Sequence, residues 1–524
     1  MITRIKRLFL CALTLFFLAG LIRPAYVRAE ENDEAEMAET ISGMQIVTAY
    51  EGIQDPFRLF DRSFYSSRVT GENATLTLEH EKGIGSLYLL RTTAPGGYTI
   101  TDNGSGTVVT AGETLLRHDF TDLVSLFGYA PTSVTICFGP EPVRLAELYV
   151  FTPGEVPGFV QKWKPPADGK TDLLLFCAHG DDDQIFFAGI LPYYSRERGY
   201  ATQVVYLTDH GNNQPFRIHE MLDGLWAAGV DIHPVFGDYP DYLLKNPKEY
   251  TDQHQNIQYA YNFFNSHNRN RDDLLGFVTE QLRRFKPMVV VTHDFAGEYG
   301  HSHHMVCADL MAEAITVSND PAQYPELAEA YGLWDVPKTY IHLYEENQVV
   351  IDLDAPLEYF DGKTAFEVSK YLAFPKHTSQ YNDVCYHINP YKTAAQMRYS
   401  PCFYGLLRST VGEDIQKNDL FENVLSYEQQ RQAEEARLAE EARLAEEARL
   451  AEEARLAEEA RLAKEAKQAE EARLAEEARH AAEKRRITVT VITAVVLILV
   501  LAVVLILKQR KKAMAKRPVD IDLH

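Results

Sequence analysis

Between residues 172 and 292, uninterrupted apolar runs alternate with segments of helical period, and few folds accommodate that alternation. Past Asp172, the run Leu-Leu-Leu-Phe-Cys-Ala178 has no polar position to face water. It reads as a strand covered on both faces. Residues 184–198 read as a helix, 201–208 as a second strand, 218–228 as a helix and 232–236 as a short strand. An amphipathic helix over 272–285 and another buried strand over 288–292 follow. Strand alternating with helix predicts an α/β domain with a mainly parallel sheet covered on both sides. In such sheets, ligands collect at the carboxyl ends of the strands.

The flanking segments have different periods. Over residues 42–160 the pattern alternates every second residue, as in Ala74-Thr-Leu-Thr-Leu-Glu-His80, with Gly96-Gly97 and Asn103-Gly104 as turns. Short strands at this spacing predict a β-sandwich. The closing strand, Arg144-Leu-Ala-Glu-Leu-Tyr-Val150, resembles that of galactose-binding-like (discoidin-type) sandwiches. A plain structural spacer is the alternative, since a fold alone carries no function. Pro165-Pro166-Ala-Asp-Gly-Lys170 is a linker, and the α/β domain is expected over 168–425.

Residues 427–486 repeat Leu-Ala-Glu-Glu-Ala-Arg, with Leu438, Leu444, Leu450, Leu456 and Leu462 six apart. Six residues advance a helix by about 600°, so the leucines rotate away from one another and form no heptad seam. Arg437 is placed to pair with Glu440 and Glu441, and the pairing recurs. A solvated helical stalk is expected, spanning about 90 Å. Self-association as a weak coil is the alternative. Residues 487–507 are uncharged and long enough to span a bilayer, and the basic tail over 508–524 suits the cytoplasmic side. At the other end Arg4, Lys6 and Arg7 precede an apolar run and Val27-Arg-Ala29, the pattern of a signal peptide over 1–29. The expected location is therefore the cell membrane, single-pass, with the sandwich and α/β domains extracellular.

The formal net charge of −23 excludes a phosphate backbone as an expected partner. The cysteines past residue 29 are scattered, without a CxxC knuckle, so any metal must use histidine and carboxylate. Cys385 and Cys402 could pair, which spacing alone does not decide. Two clusters sit where buried strands end. In Ala178-His179-Gly-Asp181-Asp182-Asp183, His179 and Asp182 are three apart and can converge on one point, with Asp181 aimed at what they hold. In Gly297-Glu-Tyr-Gly-His301-Ser-His303-His304, His301 and His304 repeat the spacing. Two histidines and a carboxylate with an open position are a common set for catalytic zinc. A free carboxylate takes a proton from attacking water, and a further histidine stabilises the oxyanion. Asp181 and His301 suit those roles. The plain alternatives are a solvated acidic cap and incidental metal binding.

These residues resemble the PIG-L/LmbE-like deacetylases. Ala178-His-Gly-Asp-Asp-Asp183 is similar to the family's AHPDDE motif and Gly300-His-Ser-His-His304 to its GHxxH motif. Leu207-Thr-Asp-His-Gly211, Arg217-Ile-His-Glu220 with Ala227-Ala-Gly-Val230, and Gly237-Asp-Tyr-Pro-Asp241 match further family segments in order. The resemblance implies a Rossmann-like zinc hydrolase removing acetyl groups from N-acetylglucosamine units. It implies His179, Asp182 and His304 as zinc ligands, Asp181 as general base and His301 as stabiliser of the tetrahedral intermediate. It also implies Arg217 as a substrate or oxyanion contact, with His377 and Gln380 lining the pocket. The chain departs from the family at Gly180 (family proline), which loosens the ligand loop, at Asp183 (glutamate), which shortens an arm, and at His303 (frequently aspartate).

Together these readings predict a zinc-dependent deacetylase of an extracellular glycan or glycolipid, tethered to a lipid bilayer. The alternatives are a non-catalytic glycan-binding adhesin and a zinc amidase acting on a non-sugar amide. The sequence is silent on oligomeric state.

Overall fold

The computed structural model describes residues 37–92, 96–112, 116–209, 214–241 and 256–514. The signal peptide expected over 1–29, positions 210–211 of the second matched segment and the end of the basic tail lie outside the described residues. The chain divides into two units, one up to Glu428 and one from Gln429 on.

The first unit opens with an antiparallel β-domain. Its strands run in the order Val108–Ala111, Tyr98–Asp102, Ser133–Cys137, Arg68–Glu79, Arg144–Phe151, Ser86–Arg91, His118–Asp122. Thr40–Ile41 and Val47–Ile53 pair with this path from its side. Alternate residues point inward, so Leu76, Leu78, Ile100, Val134 and Ile136 meet Leu87, Leu89, Leu145, Leu148 and Val150 in one core. Burial of such side chains stabilises by roughly 1.5–3 kcal/mol each, before the entropy of ordering them.

The α/β domain follows, around a seven-stranded sheet. The order is Val235–Pro240, Thr202–Asp209, Leu173–Cys177, Val289–Thr292, Lys338–His342, Phe403–Ser409, Gln348–Val350. The pairings from Val235–Pro240 through Lys338–His342 are parallel, and those of the last two strands are antiparallel. The sheet is thus mainly parallel, as expected, and both faces are covered. Leu173, Leu175 and Cys177 face one core while Leu174 and Phe176 face the other. That two-sided burial is why the run past Asp172 has no polar position.

Two local expectations need correction. No continuous helix covers 184–198. A single turn, Asp182–Ile185, stops short of Gly189, whose φ of 93° lies outside the helical region, and a wider turn resumes at Pro192–Glu197. The strand expected at 232–236 lies at Val235–Pro240, so Gly237 to Pro240 form strand and not loop. Gly237 is required there, because a Cβ would stand 2.2 Å from the Leu207 carbonyl oxygen of the neighbouring strand. At Gly180 a Cβ would meet the Met221 thioether at 2.4 Å, so the methionine side chain occupies the space beside the ligand loop. Cys385 and Cys402 are both free.

The antiparallel β-domain is built onto the outer face of the helix Arg217–Ala227. His118 and His219 rings stack, with Nε2 and Nδ1 2.8 Å apart, and His219 Nε2 lies 3.2 Å from Thr92 Oγ1. Gln161 Nε2 donates to Asp223 Oδ1 at 2.5 Å, and Tyr65 Oη donates to Glu220 Oε1 at 3.0 Å. Glu220 also accepts from the Ser379 backbone N–H at 3.0 Å and from Ser379 Oγ at 2.5 Å. One helix therefore carries Arg217 on the site side and the β-domain on the other.

The second unit is a single helix, which begins within the first unit as Tyr427–Met514. Of its expected glutamate–arginine pairs, the one four residues apart forms and the one from Arg437 to Glu440 does not. Arg437 bonds Glu434 and Glu441, each at 2.5 Å, while Glu440 pairs with Arg443. The glutamate three residues earlier meets two guanidinium nitrogens at once, which leaves Glu440 to the next arginine. The helix contains a stretch long and apolar enough to cross a bilayer, and none of that stretch is buried.

Candidate metal centre

The site forms where Leu173–Cys177 and Val289–Thr292 end side by side. After the first strand the chain turns into Asp182–Ile185, which carries His179, Asp181 and Asp182 to the sheet edge. After the second it passes His293 and coils through Gly297–Gly300 into the helix Ser302–Val317. Gly297 is needed in that coil, because its φ is 67° and a Cβ would meet the His301 carbonyl oxygen at 2.4 Å.

His179 Nδ1 lies 3.3 Å from Asp182 Oδ2 and 3.2 Å from His304 Nε2. His304 Nε2 lies 3.3 Å from Asp182 Oδ1. Donors about 2.0–2.1 Å from a tetrahedral zinc stand about 3.3 Å apart, so this donor set fits such an ion. His301 joins the same group, since one nitrogen each of His179, His301 and His304 fall within 4.8 Å of one another. Its ring stacks on His304 at 4.7 Å. Burial, then the neighbouring histidines, push its pKa well below the usual imidazole range. Burial alone would raise the Asp182 carboxyl, but His304, His179 and His293 hold it well below the carboxylate range. Asp181 is different. Burial raises its pKa, and Arg217, with Nη2 3.9 Å away, only partly opposes this.

Arg217 heads its helix and is 3% exposed, and its Nε and Nη2 have no hydrogen-bond partner among the described residues. His377 is fully buried against Gly224 and stacks on Phe374, with its pKa pushed down to about 3 by burial and by Arg217. Gln380 is half-buried at the head of the turn Tyr381–Val384. Thus His179, Asp181, Asp182, Arg217, His301 and His304 are brought together. His377 lies behind Arg217, and Gln380 stands further along the same loop.

Sequence reasoning assigned no role to Glu298. Its Oε2 accepts from His304 Nδ1 at 2.7 Å and from His293 Nδ1 at 2.8 Å, and its Oε1 lies 2.5 Å from His342 Nδ1. Burial would raise its carboxyl, yet the histidines hold it well below the usual range. Donation from His304 Nδ1–H leaves the Nε2 lone pair facing Asp182 and His179. The signal available was a glutamate inside the matched segment, but partners at 293 and 342 are set only by the sheet. Asp241 and His303 were also left without roles. Asp241 Oδ1 lies 3.6 Å from His179 Nε2 and 3.5 Å from His303 Nδ1. Phe264 stacks on the His303 ring at 4.8 Å.

Parts of the chain are similar to known proteins. The PIG-L family model (GlcNAc-PI de-N-acetylase) matches residues 174–315, and a coiled-coil family model (CG45076) matches 420–490. A 1D-myo-inositol 2-acetamido-2-deoxy-alpha-D-glucopyranoside deacetylase of Saccharopolyspora erythraea is 44% identical over 70 residues, 13% of this chain and 24% of that protein. One of the same description from Streptomyces avermitilis is 27% identical over 190 residues, 32% of this chain and 60% of that protein. The chain therefore spans less than two thirds of the length of either. The Clostridium perfringens structure CpGH89CBM32-6 aligns with 23% of this chain and 96% of its own, at 17% identity and a TM-score of 0.17. With both sequence motifs meeting at one sheet edge, the family match shows that this chain carries a deacetylase domain of the PIG-L family.

Proposed function

We propose that the chain is a zinc-dependent N-deacetylase of N-acetylglucosamine-type sugars in an extracellular glycan or glycolipid. The observation that carries this reading is the convergence of His179 Nδ1, His304 Nε2 and the two oxygens of Asp182, with separations of 3.2–3.3 Å, and Asp181 and Arg217 beside them. The relatives' described substrate, a 2-acetamido-2-deoxy-glucopyranoside, supports the sugar class.

In this reading His179, Asp182 and His304 hold zinc, which when bound polarises the amide carbonyl and acidifies water. Asp181 takes the proton from the attacking water and returns it to the leaving amine. Its raised pKa makes the carboxylate a better base than a solvated aspartate. His301 and Arg217 face the developing oxyanion. Arg217 Nε and Nη2, which have no hydrogen-bond partner among the described residues, suit an anionic or carbonyl oxygen of substrate. His377 buttresses Arg217, and Gln380 lines the entrance.

In this reading residues 1–29 export the chain, residues 487–507 span a bilayer, and the site lies outside the cell with residues 427–486 as its stalk. The domain limits are those of the sequence, with the sandwich over 42–160 and the deacetylase over 168–425.

Acetate release from N-acetylglucosamine glycosides tests the reading, with metal content measured on the full chain, Asp181→Asn and His304→Ala. Wild type should hold zinc and release acetate. Asp181→Asn should keep zinc and lose turnover, and His304→Ala should lose the tightly held ion and turnover. A zinc-loaded wild type that releases no acetate from any N-acetylated sugar or glycan would overturn the proposal.

A further inference from the structure

His179 presents its two ring nitrogens to two different donor sets. Nδ1 faces Asp182 and His304, as described above. Nε2 lies 3.3 Å from His303 Nδ1 and 3.6 Å from Asp241 Oδ1, and those two atoms are 3.5 Å apart. This second triangle is nearly equilateral and matches the spacing of donors around one tetrahedral ion. All three side chains are held in place: His303 is fully buried and stacked on Phe264, His179 is 8% exposed, and Asp241 follows directly on the strand Val235–Pro240.

We propose that His179 Nε2, His303 Nδ1 and Asp241 Oδ1 form a second divalent-cation site, sharing the His179 ring with the first. Two nitrogens and a carboxylate oxygen suit zinc, cobalt(II) or iron(II). A neutral imidazole carries one proton, so ligation through both nitrogens sends that proton to solvent. The second ion is therefore held more weakly than the first. The feature that creates the site is His303, which stands beside the last ligand of the first triangle and supplies a donor that a carbon side chain would not.

The test is a metal count. The full chain, stripped with chelator, is titrated with Zn2+ and separately with Co2+, following heat and the cobalt visible spectrum. Wild type should take up two equivalents, the second with release of one proton, read from the heat in two buffers of different ionisation enthalpy. His303→Asn and Asp241→Asn should each take up one. His304→Ala should still take up one, now at the second triangle. Uptake of one equivalent by wild type overturns the second site and leaves the proposed deacetylase intact, whereas uptake of none removes both. Two equivalents in both His303→Asn and Asp241→Asn would also overturn it. The wild-type count decides even if a variant does not fold.

Discussion

His304 Nδ1 donates to Glu298 Oε2 at 2.7 Å, and the same oxygen accepts from His293 Nδ1 at 2.8 Å. The Ala178 backbone N–H donates to His293 Nε2 at 3.0 Å, which places the His293 proton on the Glu298 side. A single buried carboxylate thus sets which nitrogen of His304 faces the metal centre and pins the ends of two adjacent strands together. Glu298→Gln presents an N–H where an acceptor is needed. Zinc affinity should fall roughly 10–100-fold, measured by competition with a chromogenic chelator. An unchanged affinity would reduce Glu298 to a structural role.

Asp181→Asn keeps the shape of the site and removes the proton acceptor. Turnover should fall about 10²–10⁴-fold while zinc content stays at the wild-type level. Comparable turnover in the variant would assign the base elsewhere.

The joint between the antiparallel β-domain and the helix Arg217–Ala227 should be acid-labile. Burial pushes His118 down to about 3 and His219 well below the imidazole range, with Tyr88, Gln161, Thr92 and Arg117 around them. In the unfolded chain a histidine titrates near 6.5. Below that pH the unfolded state binds protons that the folded state does not, so stability is full above about 6.5 and is lost as pH falls towards 3. Melting temperature should therefore drop steadily below pH 6.5, and His219→Gln should flatten that slope. An equal slope in the variant would place the acid sensitivity at other groups.

Gly237→Ala would force a Cβ against the Leu207 carbonyl across a parallel pairing. A loss of roughly 3 kcal/mol or more is expected, read by denaturant unfolding. Asp241, which that strand delivers to the site, would be displaced along with it.

The repeat helix depends on exposed ion pairs such as Arg437 with Glu434 and Glu441. A peptide of residues 427–486 should be helical at low ionic strength and lose helicity as salt rises towards 1 M, where the screening length is about 3 Å. Salt-independent helicity, together with a concentration-dependent melt, would instead mark self-association.

The sequence by itself determined the period of each segment. Two-residue alternation in Ala74 to His80 gives antiparallel strand, and the apolar run past Asp172 gives a strand buried on both faces. Those two patterns state which side chains must leave water, whereas the six-residue repeat gives one long helix through its helix-forming residues and recurring ion pairs. The sequence also singled out His179, Asp182, His301 and His304, since residues three apart at a helix start can converge on one point. Tertiary structure decided what no local pattern contains. Glu298 meets His342 across 44 residues, and His179 meets His303 across 124. His118 meets His219 across 101 residues, and the last two strands add to the sheet antiparallel. Each of these depends on which strand lies beside which, and strand order is settled by packing both faces of the sheet at once. Even the break at Gly189 follows from packing, because its backbone N–H turns to Ser369 Oγ at 2.8 Å and leaves the helical path.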